Sequence, residues 1–208
     1  MFDAVIFDLD GTLIDTERLT QAAGIEAFAE LGITVDPAFL QSLIGVDDRT
    51  GGGIIHARYP DLDPDAFTSA WGAAVDRHYA AGLPLKPGTT ELLGMLAQPM
   101  ALATSSTRAQ CTRKLLRTGL GVHFAHVVTF DDVTAPKPDP EPYLLSARLL
   151  GIDPARCLAF EDSETGARSA HAAGMTVVQV PDLVPATGSF AHLVAPDLIS
   201  GARGIGLI

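Results

Sequence analysis

The sequence predicts a doubly wound α/β fold, a parallel sheet covered by helices on both faces, with a helical domain inserted after the first strand. Three observations predict it. Short apolar runs recur at Ala4 to Phe7, Met100 to Ala103, Val127 to Phe130, Cys157 to Phe160 and Thr176 to Val180. They are nearly continuous, without polar alternation, which is the pattern of strands buried on both faces. Segments of helical character separate the later runs, and strand alternating with helix is the signature of a parallel sheet. Between the first and second runs, by contrast, residues 16–83 show no strand pattern, and a helical block of that length is too long for a crossover.

The elements follow in order. After the first strand, Glu17 to Leu31 and Pro64 to Ala81 read as amphipathic helices with shorter helical pieces between them. Phe28, Phe39, Phe67 and Trp71 are expected to form the core of this insert, and Gly51 to Gly53 a flexible turn within it. The stiff connector Leu83-Pro84-Leu85-Lys86-Pro87-Gly88 marks its far boundary. Residues 1–15 and 84–208 are therefore assigned to the α/β core and 16–83 to the insert. In the core, helices are expected over Arg108 to Arg117, Asp139 to Leu150 and Ser163 to Ala173. Thr107 with Gln110 fits a capping box. Asp139 then Pro140 fits an N-cap with proline at the first helical position. Ser163 can cap a helix that stops near Gly174. The glycine-rich residues 200–208 give no clear element.

Composition narrows the partners. The 208 residues are 47% hydrophobic and 19% charged, an ordinary globular balance. A formal net charge of −11 disfavours nucleic acid and anionic membranes. An anionic small substrate would need local positive charge from a metal, a lysine or helix N-termini. Cys111 and Cys157 show no CxxC spacing and are read as reduced. Asp3, Asp8 and Asp10 interrupt the first apolar stretch, so it resembles neither a signal peptide nor a span. A cytoplasmic protein, monomeric or weakly dimeric, is the default expectation. The histidines form no HxH or HExxH pattern, which argues against zinc.

The chemistry concentrates at Asp8-Leu9-Asp10-Gly11-Thr12, two carboxylates where a buried strand ends. If the strand continued to Asp10, both side chains would share one face roughly 6–7 Å apart. The carboxyl edge of such a sheet is where ligands bind. Adjacent anions there call for a hard cation such as magnesium. The plainer reading is two aspartates facing water. Thr104, ending the Met100 to Ala103 strand, can bond an anion's oxygen, with Ser105 offering its N–H and Ser106 or Thr107 left to cap the next helix. Lys137, fixed between Pro136 and Pro138, can supply positive charge; the plainer reading is a solvated lysine. Glu161 and Asp162, after the Cys157 to Phe160 strand, can complete a magnesium shell with Asp8 or simply favour the next helix's N-terminus.

These motifs resemble, in order, those of the haloacid dehalogenase-like superfamily. Asp8-Leu9-Asp10-Gly11-Thr12 resembles the first, Ala101 to Ser106 the second, Pro136-Lys137-Pro138-Asp139-Pro140 the third and Phe160-Glu161-Asp162-Ser163 to Gly166 the fourth. The insert resembles the family's small helical cap, and the likeness extends to about Pro181. The resemblance implies a Rossmann-like core and a magnesium-dependent phosphohydrolase acting on a small phosphorylated metabolite. It implies that Asp8 attacks phosphorus to form an aspartyl-phosphate while Asp10 acts as acid and then base. Magnesium would be held by Asp8, the Asp10 carbonyl, Asp162 and Glu161, the last directly or through water. The phosphoryl group would be held by Lys137, Thr104, Ser105 and the N–H groups near Leu9 and Asp10. Arg49, beside the cap glycines, is the candidate cap contact to substrate. Cap closure would hinge near Asp15-Thr16 and residues 83–88.

Asp10 separates the chain from the family's dehalogenases and phosphonatases. A phosphomutase of the β-phosphoglucomutase group is the alternative. In that group a cap histidine, an arginine just past a Gly-Val turn and a lysine in a later cap helix serve a second phosphate, whereas here Thr20 and Val75 stand near the histidine and lysine positions, and Gly45-Val46 is followed by Asp47-Asp48 with Arg49 one place late. The sequence therefore favours hydrolase over mutase. A non-catalytic phosphometabolite-binding module is the reading from another class; it is disfavoured because nucleophile and lysine are both present.

Overall fold

The computed structural model describes residues 2–43 and 48–208, with backbone alone at 48 and 49. The chain folds into two compact units, residues 1–15 with 84–208, and residues 16–83.

The first unit is a sheet with helices on its faces. Strand β1 (Ala4–Phe7) leads to a loop that returns at Leu85. The 16–83 unit carries helices α1 (Glu17–Glu30), α2 (Pro37–Gln41), α3 (Asp48–Arg58) and α4 (Pro64–Ala81). The first unit then continues with α5 (Thr89–Met95), β2 (Met100–Ala103), α6 (Arg108–Thr118), β3 (His126–Val128), α7 (Glu141–Leu150), β4 (Cys157–Glu161), α8 (Glu164–Ala172), β5 (Thr176–Gln179), β6 (Leu193–Val194) and α9 (Leu198–Gly204). The strands are parallel in the order β3-β2-β1-β4-β5-β6. Every residue of β1, β2 and β4 is buried, which is why those segments read as unbroken apolar runs. Ile6 pairs with Ala101 on one side and Ala159 on the other, and the Phe7 and Phe160 rings stack at 5.1 Å.

This strand order positions the site. From β1 the chain runs outward to β2 and β3, then returns to place β4 on β1's other side. The crevice at such a reversal lies at the strands' carboxyl ends. Asp8, Thr104 and Asp162 are the residues just beyond β1, β2 and β4.

Several expectations need correction. β1 stops at Phe7 and does not reach Asp10, which makes an isolated bridge with Ile14 in a tight loop. β3 ends at Val128, because Asp132 Oδ2 accepts from Thr129 N and Oγ1 at 2.8 and 2.7 Å, and turns Phe130 outward to 45% exposure. Helix α7 begins at Glu141, with Pro140 in the cap position; Asp139 Oδ1 accepts the Glu141 N–H at 3.0 Å. Gly51, Gly52 and Gly53 lie inside α3 and form no turn. Strand β6 and helices α5 and α9 lie in segments whose patterns gave no element. In α9, Asp197 Oδ1 caps Ser200 N at 2.7 Å. Gly201 there faces Val178, whose Cγ1 would lie 2.7 Å from an added Cβ. The capping box of Thr107 and Gln110 and the Ser163 cap on Gly166 N are both formed.

In the 16–83 unit, α1 packs on α4. Ala27, Phe28, Leu40, Ile55, Phe67 and Ala70 form its core, with Phe39 and Trp71 packed against it. Among the described residues, no helix is long and apolar enough to cross a membrane.

Candidate active site

Asp8 follows β1 and is tied to β4 by its N–H on Phe160 O at 2.9 Å. Its side chain is buried. Oδ1 accepts from Lys137 Nζ at 2.7 Å, while Oδ2 is buried without a hydrogen-bond partner. Beyond it the chain turns tightly, with Leu13 N and Ile14 N both on Leu9 O at 3.0 and 3.1 Å. Gly11 permits this turn at φ +80°, and an added Cβ there would lie 2.2 Å from Asp162 Oδ2. The turn thus needs glycine twice over, for its torsion and for the approach of Asp162.

The Lys137 side chain is buried, so the solvated reading does not hold. Its Nζ lies 2.7 Å from Asp8 Oδ1 and 2.6 Å from Glu161 Oε1, and 5.1 Å above the Tyr143 ring centroid. A buried ammonium requires such pairing. Burial alone would lower its pKa, but the Asp8 and Glu161 carboxylates outweigh that and hold it above its usual value.

Glu161, fully buried at the end of β4, is gripped from both sides. Oε1 accepts from Lys137 and from Tyr143 OH at 2.8 Å. Oε2 accepts from Asp162 N, Ser163 N and Ser163 Oγ at 3.2, 3.3 and 3.1 Å. Burial, then the Glu161 charge, push the Tyr143 hydroxyl well above its usual pKa and keep it a donor.

Asp162 lies beside these groups, with Thr12 Oγ1 3.5 Å from its Oδ1. One carboxylate oxygen from each of Asp8, Glu161 and Asp162 falls within 4.8 Å of the others. Burial pushes the Asp8 carboxyl up to about 7; Lys137 opposes this, and the Glu161 and Asp10 charges add to it. Three carboxylates against one ammonium, with Asp8 Oδ2 unsatisfied, leave an excess of buried negative charge that a cation would neutralise. An all-oxygen donor set suits a hard divalent ion.

Thr104 is buried at the end of β2, and its Oγ1 accepts from Ser106 N at 3.0 Å. Ser105 is exposed. Asp10 turns its carboxylate to a second cluster. Oδ1 accepts from Lys114 Nζ at 2.6 Å and Oδ2 from Ser106 Oγ at 2.8 Å. Asp8, Lys137, Glu161 and Asp162 are thus brought together, and Asp10 is held by α6 and the loop before it. The Arg49 side chain and residues 45–47 lie outside the described residues.

Three functional candidates escaped the sequence reading: Lys114, Ser106 in its contact with Asp10, and Tyr143. Lys114 lies on the buried face of α6 with Cys111, while Leu116 is 79% exposed, the reverse of what hydropathy alone would place inside. A charged residue three places from a buried cysteine is the signal that was available. Nothing in the sequence distinguishes Tyr143, a buried residue of α7, from an ordinary core aromatic.

Residues 2–174 match the haloacid dehalogenase-like hydrolase family. The chain is 34% identical to fructose-1-phosphate phosphatase YqaB of Escherichia coli over 186 residues, covering 86% of this chain and 96% of that one. It superposes with a TM-score of 0.84 and 28% identity on a Thermotoga maritima protein provisionally assigned as a beta-phosphoglucomutase, covering 99% of both chains. It also superposes on CbbY from Rhodobacter sphaeroides in complex with phosphate, with a TM-score of 0.78 and 27% identity, covering 98% of this chain and 96% of that one. A six-stranded parallel sheet, an aspartate beyond its central strand and a family match over most of the chain lead to one conclusion: the protein belongs to the haloacid dehalogenase-like hydrolases.

Proposed function

We propose that this enzyme is a magnesium-dependent phosphomonoester hydrolase that acts on a small phosphorylated metabolite, a sugar phosphate by chemical class. The observation that carries the reading is Asp8, buried at the sheet's carboxyl edge, paired to Lys137 through one oxygen and unsatisfied at the other. A carboxylate so placed is the nucleophile of a covalent phosphoryl transfer.

An Asp8 oxygen attacks phosphorus, the bond from phosphorus to the ester oxygen breaks, and Asp10 gives that oxygen a proton, so that an alcohol leaves. Water then attacks the aspartyl-phosphate, Asp10 takes the water's proton, and the bond from phosphorus to Asp8 breaks to release phosphate. Lys137 has three N–H groups and spends two on Asp8 and Glu161, which leaves the third for a phosphoryl oxygen. Thr104, Ser105 and the backbone N–H groups of Leu9 and Asp10 are assigned to the remaining oxygens. Magnesium would be held by Asp8, the Asp10 carbonyl and Asp162, with Glu161 directly or through water, and when bound it would neutralise charge on the transferring phosphoryl group. Residues 16–83 serve as the cap in this reading, with Arg49 as the candidate substrate contact.

A phosphomutase is the second reading, favoured by the likeness to the Thermotoga maritima protein. One panel tests both: sugar phosphates, phosphoglycolate, nucleotides and pyrophosphate, with magnesium and with β-glucose 1-phosphate included. Release of inorganic phosphate, with label trapped on Asp8 after acid quench, is expected. Isomerised product without phosphate release would establish the mutase, and no turnover of any ester would remove the enzyme reading.

A further inference from the structure

We propose that Lys114 is a positioning residue for Asp10, acting directly and through Ser106; the inference rests on Asp10 being the acid–base group of the proposed hydrolase. The three side chains form a closed triangle. Lys114 Nζ is 2.6 Å from Asp10 Oδ1 and 2.8 Å from Ser106 Oγ, and Ser106 Oγ is 2.8 Å from Asp10 Oδ2.

The chemistry of the donors fixes the direction of each bond. An ammonium only donates, so Ser106 Oγ accepts from Lys114. The serine's own proton is then free to point at Asp10 Oδ2. Both Asp10 oxygens therefore receive a bond from the protein, which sets the plane of the carboxylate. A carboxylate has about four lone-pair sites. The bonds from Lys114 and Ser106 take two of these sites, one on each oxygen. The Asp10 side chain is 22% exposed, whereas that of Lys114 is 8% exposed, so the triangle has a buried base and an open tip.

Stability alone does not call for this arrangement. An apolar residue would pack the inner face of α6, and a lysine there carries a desolvation cost that only its partners offset. The thiol of Cys111, on the same face, is pushed up to about 11 by burial and then by the Asp10 charge, as expected beside a held carboxylate. Misplacing a catalytic group by about 1 Å costs on the order of a hundredfold in rate.

The test separates the two chemical steps with p-nitrophenyl phosphate and magnesium. Its leaving group departs as p-nitrophenolate and needs no proton, so the first step is insensitive to Asp10, whereas hydrolysis of the aspartyl-phosphate still depends on it. For Lys114→Met, first-turnover release of p-nitrophenolate is expected to stay within about threefold of wild type, while later turnover slows roughly tenfold to a hundredfold with little change in KM. Acid-quenched protein should then carry more label on Asp8 than wild type does. Equal slowing of both phases, or steady-state turnover within about twofold of wild type, would overturn the proposal. Asp10→Asn is run beside it. If that variant keeps full turnover, the acid–base reading falls and this inference with it, whereas a dead Asp10→Asn with an active Lys114→Met removes Lys114 alone. Should Lys114→Met not fold, Ser106→Ala carries the same comparison, with the same slow second phase expected and its absence decisive against.

Discussion

Gly166 stands so close to Glu161 that a Cβ at position 166 would lie 1.8 Å from Glu161 Oε1 and 2.2 Å from Oε2. The first turn of α8 is thereby moulded around the carboxylate that holds Lys137. The contact runs to the functional end of a side chain whose every neighbour is fixed, so the clash has no easy escape. Gly166→Ala is expected to destabilise the fold by about 1–3 kcal/mol or more. It should also reduce turnover, because Glu161 must move and Lys137 with it. Urea denaturation and steady-state kinetics check the two effects, and an alanine variant with wild-type stability and kcat would show that the carboxylate can yield.

Asp8→Asn removes the proposed nucleophile and keeps its shape. Turnover is expected to vanish in a protein that remains folded, and retained activity would refute the assignment. The same variant reports on charge. Burial raises the Asp8 carboxyl from an ordinary 3.8 to about 7 when no cation is bound. A carboxyl that holds its proton more tightly when folded stabilises the fold in its protonated form. That contribution is complete below the unfolded value and is lost as pH rises through about 7. Asparagine does not titrate, so the metal-free Tm difference between Asp8→Asn and wild type should grow in favour of the variant from about pH 5 to about pH 8. Circular dichroism melts in chelator measure it.

Magnesium should act on the same imbalance from the other side. A ligand bound only by the folded state, at a hundred times its Kd, adds about 2.7 kcal/mol. Wild type at neutral pH is expected to gain Tm with magnesium, and chelation should abolish turnover. Asp162→Asn, which removes one of the three clustered carboxylates, should lose most of that gain. Calorimetry of magnesium binding to the two proteins tests this; equal affinity would exclude Asp162 from the shell.

The sheet and the motif residues were legible in the sequence because burial on both faces leaves an unbroken apolar run. β1 and β2 follow the runs that announced them. The misreadings have local causes. At β3 a Thr129 and Asp132 cap stops the strand while Phe130 continues the apolar run. At α7 a proline-rich approach delays the helix to Glu141. β6 has two residues, too short to show a period. The part of the site that was hidden is the part that works against hydropathy. Lys114 is buried and Leu116 exposed on one helix, and the Asp10 carboxylate is a partner that offsets the burial of the lysine.

Tyr143 separates scaffold from chemistry. Its hydroxyl donates to Glu161 Oε1 at 2.8 Å, the same oxygen that takes Lys137 Nζ at 2.6 Å. Its ring lies 5.1 Å below that ammonium. Phenylalanine keeps the ring and the cation–π contact and removes only the hydroxyl. Oε1 then still has Lys137, so no buried acceptor is orphaned. The loss should be that of one hydrogen bond to a charged group, about 1.5–3 kcal/mol. Lys137 remains pinned by Asp8 and Glu161, so kcat should change little. Tyr143→Ala removes the ring as well and opens a cavity beneath Lys137, with an expected loss of about 3–5 kcal/mol and a marked fall in kcat. A Tyr143→Phe variant with intact stability and lost turnover would reverse this order and make the hydroxyl itself part of the chemistry.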